Sequence, residues 1–480
     1  MLTTPDSESP DLFKTVVAGG YCVGCGACAV VCGKIRIEMT DLGTYQAVLG
    51  NGTTLSSAEN RAAAAVCGFS TLAQNEDQIA GALYSAHATR HPEVGYHIQT
   101  LTGHVVEGTF RADGSSGGMG TWIAAELLRL RHIDAVIHVQ PRYAAQKSGS
   151  PLYEFSIACS EEDLRSGAHS HYYPVTLADV FARIKKDTGL RYALIGVPCF
   201  IKVARLLAQQ DESIARAVRF YIGLVCGHLK SAAFAMSLGW QAGIAPDQLH
   251  SIDFRHKIQG RSPRKYGFRA TGHTERGNVE VGRPMQDVFG GDWGLGFFKY
   301  KACDYCDDVF AETADIVIGD AWLPQFDAVW QGTNILVVRH PLFVDILASA
   351  SAQSRVQIAP ITADIAAASQ RSGLSHRREG LSCRLASADR RGEWHPPKRV
   401  IPGSFAVTRR RRRIYELREQ LRDASHSAFA QAREKNDLGH FETTLRPLIK
   451  RYYDLFKPAL AARLHNRFRK LWSSCVHSRA

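Results

Sequence analysis

Long apolar runs are missing from this sequence of 480 residues. A 19-residue stretch without charge, residues 15–33, holds four cysteines and five glycines where a bilayer core requires long apolar side chains, so no membrane span is expected. Cysteine is sparse, 12 in all, too thin for a disulfide scaffold in a chain of this length. The opening MLTTPDSESPDLFK is acidic and lacks a charged-then-apolar pattern, which argues against a secretory signal and for reduced thiols in a cytoplasm. No G-x-G-x-x-G nicotinamide fingerprint of the usual sort and no long-period repeat is present. Positive charge is also scarce over most of the chain. Residues 1–370 carry 32 Lys and Arg against 36 Asp and Glu, whereas residues 371–480 carry 26 against 10, so the overall charge of +12 belongs to the last hundred residues.

What is present is globular text, with 45% apolar and 22% charged residues. At roughly 100–200 residues per domain, the length implies two to four units. Residues 1–13 read as a mobile leader and residues 14–95 as a small Cys/Gly-rich module. From residue 96 short apolar runs alternate with helix-periodic text. A β-rich run over 96–114 leads into SSGGMG and a helix beginning near Thr121; AVIHVQP, YEFSIAC, RYALIGVP, VRFYIGLVCG, ADIVIGDAW and TNILVVRHP read as strands. That alternation predicts a mixed, largely parallel α/β domain over 96–370. Residues 371–480 read as a basic helical extension. It contains five consecutive arginines, 409–413, and Leu417, Leu421, Leu448, Tyr452 and Leu455 fall at spacings that line one helical face.

Cys22, Cys25, Cys28 and Cys32 spell C-x2-C-G-x-C-x3-C, the spacing of bacterial ferredoxins. A cubane 4Fe–4S cluster needs thiolates converging on one small volume, and glycines 24, 26 and 33 permit the tight loop that delivers them. A zinc knuckle is the competing reading, but structural zinc usually draws on two separated pairs. In ferredoxin runs the fourth cysteine commonly serves another cluster and is followed by proline, whereas Gly33 follows Cys32 here. The fourth ligand is therefore open between Cys32 and Cys67, with Cys67 preferred. Cys199, Cys226 and the pair Cys303/Cys306 form a second candidate set, the first two at the ends of predicted strands where open α/β sheets gather their sites. Packed core thiols are the alternative for those two. Cys159, Cys383 and Cys475 have no partner at ligand spacing.

The succession CVGCGAC, SSGGMGTW, YALIGVPCFIKVARLL, LVCGHLKS, FRHK and ACDYCDDVFAETADIVIGDAW resembles the coenzyme F420 hydrogenase/dehydrogenase beta-subunit family over residues 14–345. That family also includes 7-hydroxymethyl chlorophyll a reductases and bacterial members found with polysaccharide genes. The resemblance implies an iron–sulfur flavoprotein with one or two 4Fe–4S clusters and FAD, some members exchanging hydride with coenzyme F420. It implies one cluster on Cys22, Cys25, Cys28 and Cys67 and a second on Cys199, Cys226, Cys303 and Cys306. It also implies a ferredoxin-like module joined to a flavin-binding domain. Ser115, Ser116, Gly117 and Gly118, with Thr121, would form the flavin turn, since a glycine turn before a helix start admits a pyrophosphate to unpaired N–H groups. Arg255 and Lys257 would add positive charge for phosphate or reduced flavin, and Asp320 would bond a ribose or flavin edge.

Three functional classes follow. The first is an oxidoreductase passing electrons between clusters and FAD, with reduced ferredoxin or the deazaflavin as redox partner. The second is an electron-transfer subunit, or an accessory reductase of a polysaccharide pathway, whose substrate site lies on a partner. The third is a zinc-stapled binding protein with an arginine-rich arm. The basic tail could meet a partner subunit or an anionic membrane surface. No aromatic-interleaved basic platform accompanies it, so nucleic acid is not expected.

Overall fold

The computed structural model describes residues 11–142, 150–186 and 189–457. Cys475 and most of the expected leader lie outside the described residues. Leu12 and Val16 are buried beside the first cysteines. Two hairpins open the fold, β1 (Ile35–Met39) with β2 (Tyr45–Leu49) and β3 (Thr89–His91) with β4 (Gly95–His97).

The main sheet uses β5 (Gln99–Val105), β6 (Ala135–Pro141), β7 (Tyr153–Ala158), β8 (Tyr192–Gly196) and β9 (Val218–Leu224). A second sheet follows, made of β10 (Leu249–His256), β11 (Gly267–Thr274) and β12 (Gly277–Pro284), all antiparallel. The chain then returns to the main sheet with β13 (Ile316–Asp320), β14 (Asn334–Val338) and β15 (Val356–Ile361). The eight strands stand in the order β15-β5-β14-β13-β9-β8-β6-β7. Parallel pairing joins β13, β9, β8 and β6; the outer pairs are antiparallel.

Strands such as β13 and β14 are near-continuous apolar runs because both faces are covered. Leu336 and Val338 pack with Trp122, Ile123 and Leu127 of the helix Met119–Arg129, whereas Ile335 and Val337 join Ile201, Val203 and Leu207 of the helix Pro198–Gln210. Strands β5, β6, β8, β9 and β13 run in one direction, so their carboxyl ends meet at one edge. Part of the expected β-rich run turns out helical. Phe110–Asp113 form a short helix that seats Phe110 under the following turn. The second sheet was not anticipated from the sequence.

The C-terminal text is helical as expected, in two helices, Arg409–Lys435 and Leu438–Asp454. It is not a peripheral arm. Leu417, Leu421 and Tyr452 are buried, with Leu448 and Leu455 packed at their margin, against Phe297 and Phe298 and the second sheet. Phe441 stacks on Phe298 at 5.7 Å and meets Phe429 edge-on at 5.5 Å. The apolar stripe that would lie on a membrane is thus covered by the chain's own body. Of the five arginines, Arg411 pairs with Glu379, Arg413 with Glu416, and Arg410 donates to the Leu455 carbonyl. Among the described residues no helix is long and apolar enough to cross a membrane.

Phe441 is fully buried, so Phe441→Ala should destabilise the whole protein by about 3–5 kcal/mol. Chemical denaturation monitored at the β-sheet tests this; a change under about 0.5 kcal/mol, as for an uncoupled surface position, would return the tail to the status of an accessory.

Candidate functional site

The loop before the short helix Ala27–Val31 places the first cysteines. Gly24 and Gly26 hold φ of 65° and 90°, and a Cβ on either would meet Tyr45 at 2.2 Å or Thr176 at 2.5 Å, so both glycines are demanded by conformation and by packing. The N–H groups of Gly24 and Ala47 each donate to Cys22 Sγ at 3.4 Å. Burial pushes Cys28 well above the usual thiol range, and repulsion from Cys25, Cys22 and Cys67 adds to it. Cys25 is raised by burial and then by Cys67 and Cys22. Burial likewise pushes Cys67 up to about 11, against N–H donation from Phe69 and Ser70 and the charge of Lys202. Cys67 thus acts on both Cys25 and Cys28 and has Cys22 acting on it. Cys32 is buried in the adjoining core, where its N–H closes the helix on the Cys28 carbonyl.

The second set is assembled from distant segments. Cys199 follows β8 and Cys226 follows β9; Cys303 lies within a short 3-10 turn, Lys301–Tyr305, and Cys306 closes it. Cys199 is raised well above the usual range by burial and by Cys226, Cys306 and Cys303, and Cys25 of the first set acts on it too. Burial and Cys226 push Cys303 up to about 12, while the Leu229 N–H donates to its sulfur at 3.2 Å. Among the described residues no three Cys, His, Asp or Glu side chains close on a single-ion point. A four-iron cubane differs in taking one thiolate to each iron, which suits thiols that surround a volume.

A cavity of about 1470 Å³ opens at the shared carboxyl edge of the strands. It exceeds the usual ligand pocket of about 300–1,000 Å³, leaving room for an extended ligand and a second molecule beside it. Ser115, Ser116, Gly118, Thr121, Arg255 and Asp320 line it, and so does Cys226 of the second thiol set. Its walls are aromatic. His228 stacks on Trp293 at 4.3 Å, Tyr172 leans on Trp293 at 4.8 Å, and Arg255 lies over Tyr266 at 4.3 Å. Polar atoms without partners sit buried in that wall, namely His228 Nε2, Arg255 Nε and Arg418 Nε. The tail completes the enclosure with Arg418, Arg446, Lys450 and Tyr453.

Three expected residues occupy roles the sequence did not specify. Lys257 Nζ donates to the carbonyls of Arg111 and of Ser116, the latter at 2.9 Å, so two of its three N–H groups brace the turn from behind. Burial and the nearby Arg111 lower it to about 8. Arg255 Nη1 pairs with Asp320 Oδ2 at 3.0 Å, while Arg255 Nε has no partner and both residues line the cavity. The glycine pair has a packing reason of its own. A Cβ at Gly117 would lie 2.6 Å from Asn334 Oδ1, and one at Gly118, whose φ is 83°, would lie 2.6 Å from the Phe110 carbonyl. Gly120, not singled out in the sequence, lines the cavity where a Cβ would meet nothing within 4 Å. Met119 N–H is taken by Asn334 Oδ1 at 3.2 Å, and the next N–H groups of this helix start have no intrahelical acceptor.

The beta-subunit N-terminal pattern of coenzyme F420 hydrogenase/dehydrogenase matches residues 100–182, and the C-terminal pattern matches residues 189–364. The chain belongs to the coenzyme F420 hydrogenase/dehydrogenase beta-subunit family. Its members are subunits of oxidoreductases, and an iron–sulfur electron-transfer role is what the family points to. The F420-reducing [NiFe] hydrogenase complex from Methanosarcina barkeri contains a similar chain, 17% identical, with 60% of this chain and 92% of that chain covered and a TM-score of 0.45. No curated protein matches the sequence. The matched span begins after the first cysteine run and ends before the tail, so it is shifted relative to the resemblance drawn from motifs.

Anaerobically purified protein carrying Cys67→Ser should therefore hold less iron than wild type, whereas Cys32→Ser should hold the same. The reverse pattern would restore Cys32 as the ligand.

Proposed function

We propose that this family member is an iron–sulfur flavoprotein oxidoreductase in which electrons pass between two 4Fe–4S clusters and an FAD in the cavity. Cys226 carries the reading, because one residue belongs both to the second thiol set and to the cavity wall. The link from Cys25 to Cys199 supports a continuous order of first set, second set and cavity. The chemistry of the donors fits clusters, with buried thiols met by backbone N–H groups that stabilise negative sulfur. Half-helix N–H groups at Gly120 and Thr121, aromatic walls and unpartnered His228 Nε2 fit an extended dinucleotide.

FAD supplies the exchange between one-electron and two-electron transfer when bound. The protein's own part is to hold and to exclude. The Ser115–Gly118 turn, fixed by Lys257 from behind, directs the helix start at a pyrophosphate. Tyr172 and Trp293 keep water from the face they cover. The Arg255–Asp320 pair holds a fixed dipole on the wall, Arg255 staying charged because Asp320, Tyr172 and Tyr266 overcome the opposing effect of burial. The redox partner is a reduced ferredoxin or the deazaflavin coenzyme F420, and partner subunits fit a family named for a subunit.

Two measurements test the reading. Anaerobic protein should contain about eight irons and absorb as a flavoprotein; a colourless zinc protein would sink it. Gly120→Leu should abolish most flavin binding with iron unchanged, since the position lines the cavity and a Cβ there meets nothing within 4 Å. Full flavin occupancy in that variant places the dinucleotide elsewhere.

A further inference from the structure

Arg377 lies beyond the family-matched residues, in the turn His376–Gly380, and its side chain is only 1% exposed among the thiols of the second set. Its Nη1 donates to Cys306 Sγ at 3.3 Å and to the Asp308 carbonyl, and its Nη2 donates to the Gly227 carbonyl at 2.7 Å. Among the described residues no carboxylate stands within ion-pair distance of it. A buried guanidinium without a countercharge costs several kcal/mol. The groups in place to supply that countercharge are the sulfurs.

The first set is built differently. Its N–H donors are backbone groups, and the cation that acts on Cys67, Lys202, is answered by Glu76 at 3.1 Å. Near the second set Arg399 meets Glu312 at 2.7 Å, Asp77 at 2.9 Å and Asp307 at 3.4 Å, whereas Arg377 spends its donors on a cysteine sulfur and two carbonyls.

Resting on the two-cluster reading above, we propose that Arg377 is a positioning residue that raises the reduction potential of the second cluster above that of the first. Positive charge and hydrogen bonds to ligand sulfur favour the reduced, more negative state of a cluster. One electron leaving the Cys22 set then enters the Cys303 set downhill, with no bond broken and no proton moved, and stands beside the cavity wall.

The test is a redox titration of anaerobic full-length protein, followed by electron paramagnetic resonance after iron has been counted. Wild type should show two midpoints, and Cys303→Ser should remove the higher one. Arg377→Gln should lower the higher midpoint and leave the other in place, and Arg377→Lys should recover most of that shift. An unmoved higher midpoint in Arg377→Gln with iron retained overturns the proposal. So does loss of the lower midpoint in Cys303→Ser, which decides the order in wild type even where the glutamine variant sheds iron. Iron near four per intact chain would instead remove the two-cluster reading itself.

Discussion

The carboxylate of Asp304 is the contact on which the rest of this structure depends. It has no exposed surface, and it stands between Cys303 and Cys306 in the sequence. Lys299 donates to it, Arg422 reaches it at 2.5 Å, and His376 Nε2 lies 3.1 Å away. Arg384 binds its backbone carbonyl at 2.7 Å. Burial alone would favour the protonated carboxyl, yet Lys299 and Arg422 hold its pKa well below the usual carboxylate range. A charge removed from water at a cost of several kcal/mol persists only when many partners converge, and beside the local Lys299 these partners come from the tail and from the segment 376–384. The acid therefore ties the second thiol set to elements more than seventy residues downstream.

That arrangement explains why the tail could be read as helix but not placed. The periodicity of Leu417, Leu421 and Tyr452 reports a face that must be covered, and it is silent on the cover. The cover is Phe297, Phe298 and the second sheet, and their contacts with the tail are long-range. Strands β6, β8, β9, β13 and β14 were legible because burial on both faces writes an unbroken apolar run. The half-exposed second sheet writes no such run; β12 alternates half-buried and exposed positions and buries none of them.

The site divides in the same way. Three cysteines within seven residues announce themselves by spacing, and Gly-rich text before a helix marks the turn at Ser115. Gly120 and Arg377 carry no such mark. The first matters for what is absent around it, the second for a buried contact with sulfur, and neither property is local in sequence. The pairing of Arg255 with Asp320 belongs to the same class, since sixty-five positions separate the two partners.

The separation of the two thiol sets along the chain has a consequence for biogenesis. Cys22, Cys25 and Cys28 stand together as soon as one short loop has left the ribosome, with Cys67 following soon after. Cys199, Cys226, Cys303 and Cys306 come together only once β8 and β9 lie side by side and Asp304 has gathered its partners from residue 376 to residue 422. On the proposed two-cluster reading, iron delivery to the second set would wait for a nearly finished chain. Release from translation before residue 422 would then leave the first set assembled and the second without its supports.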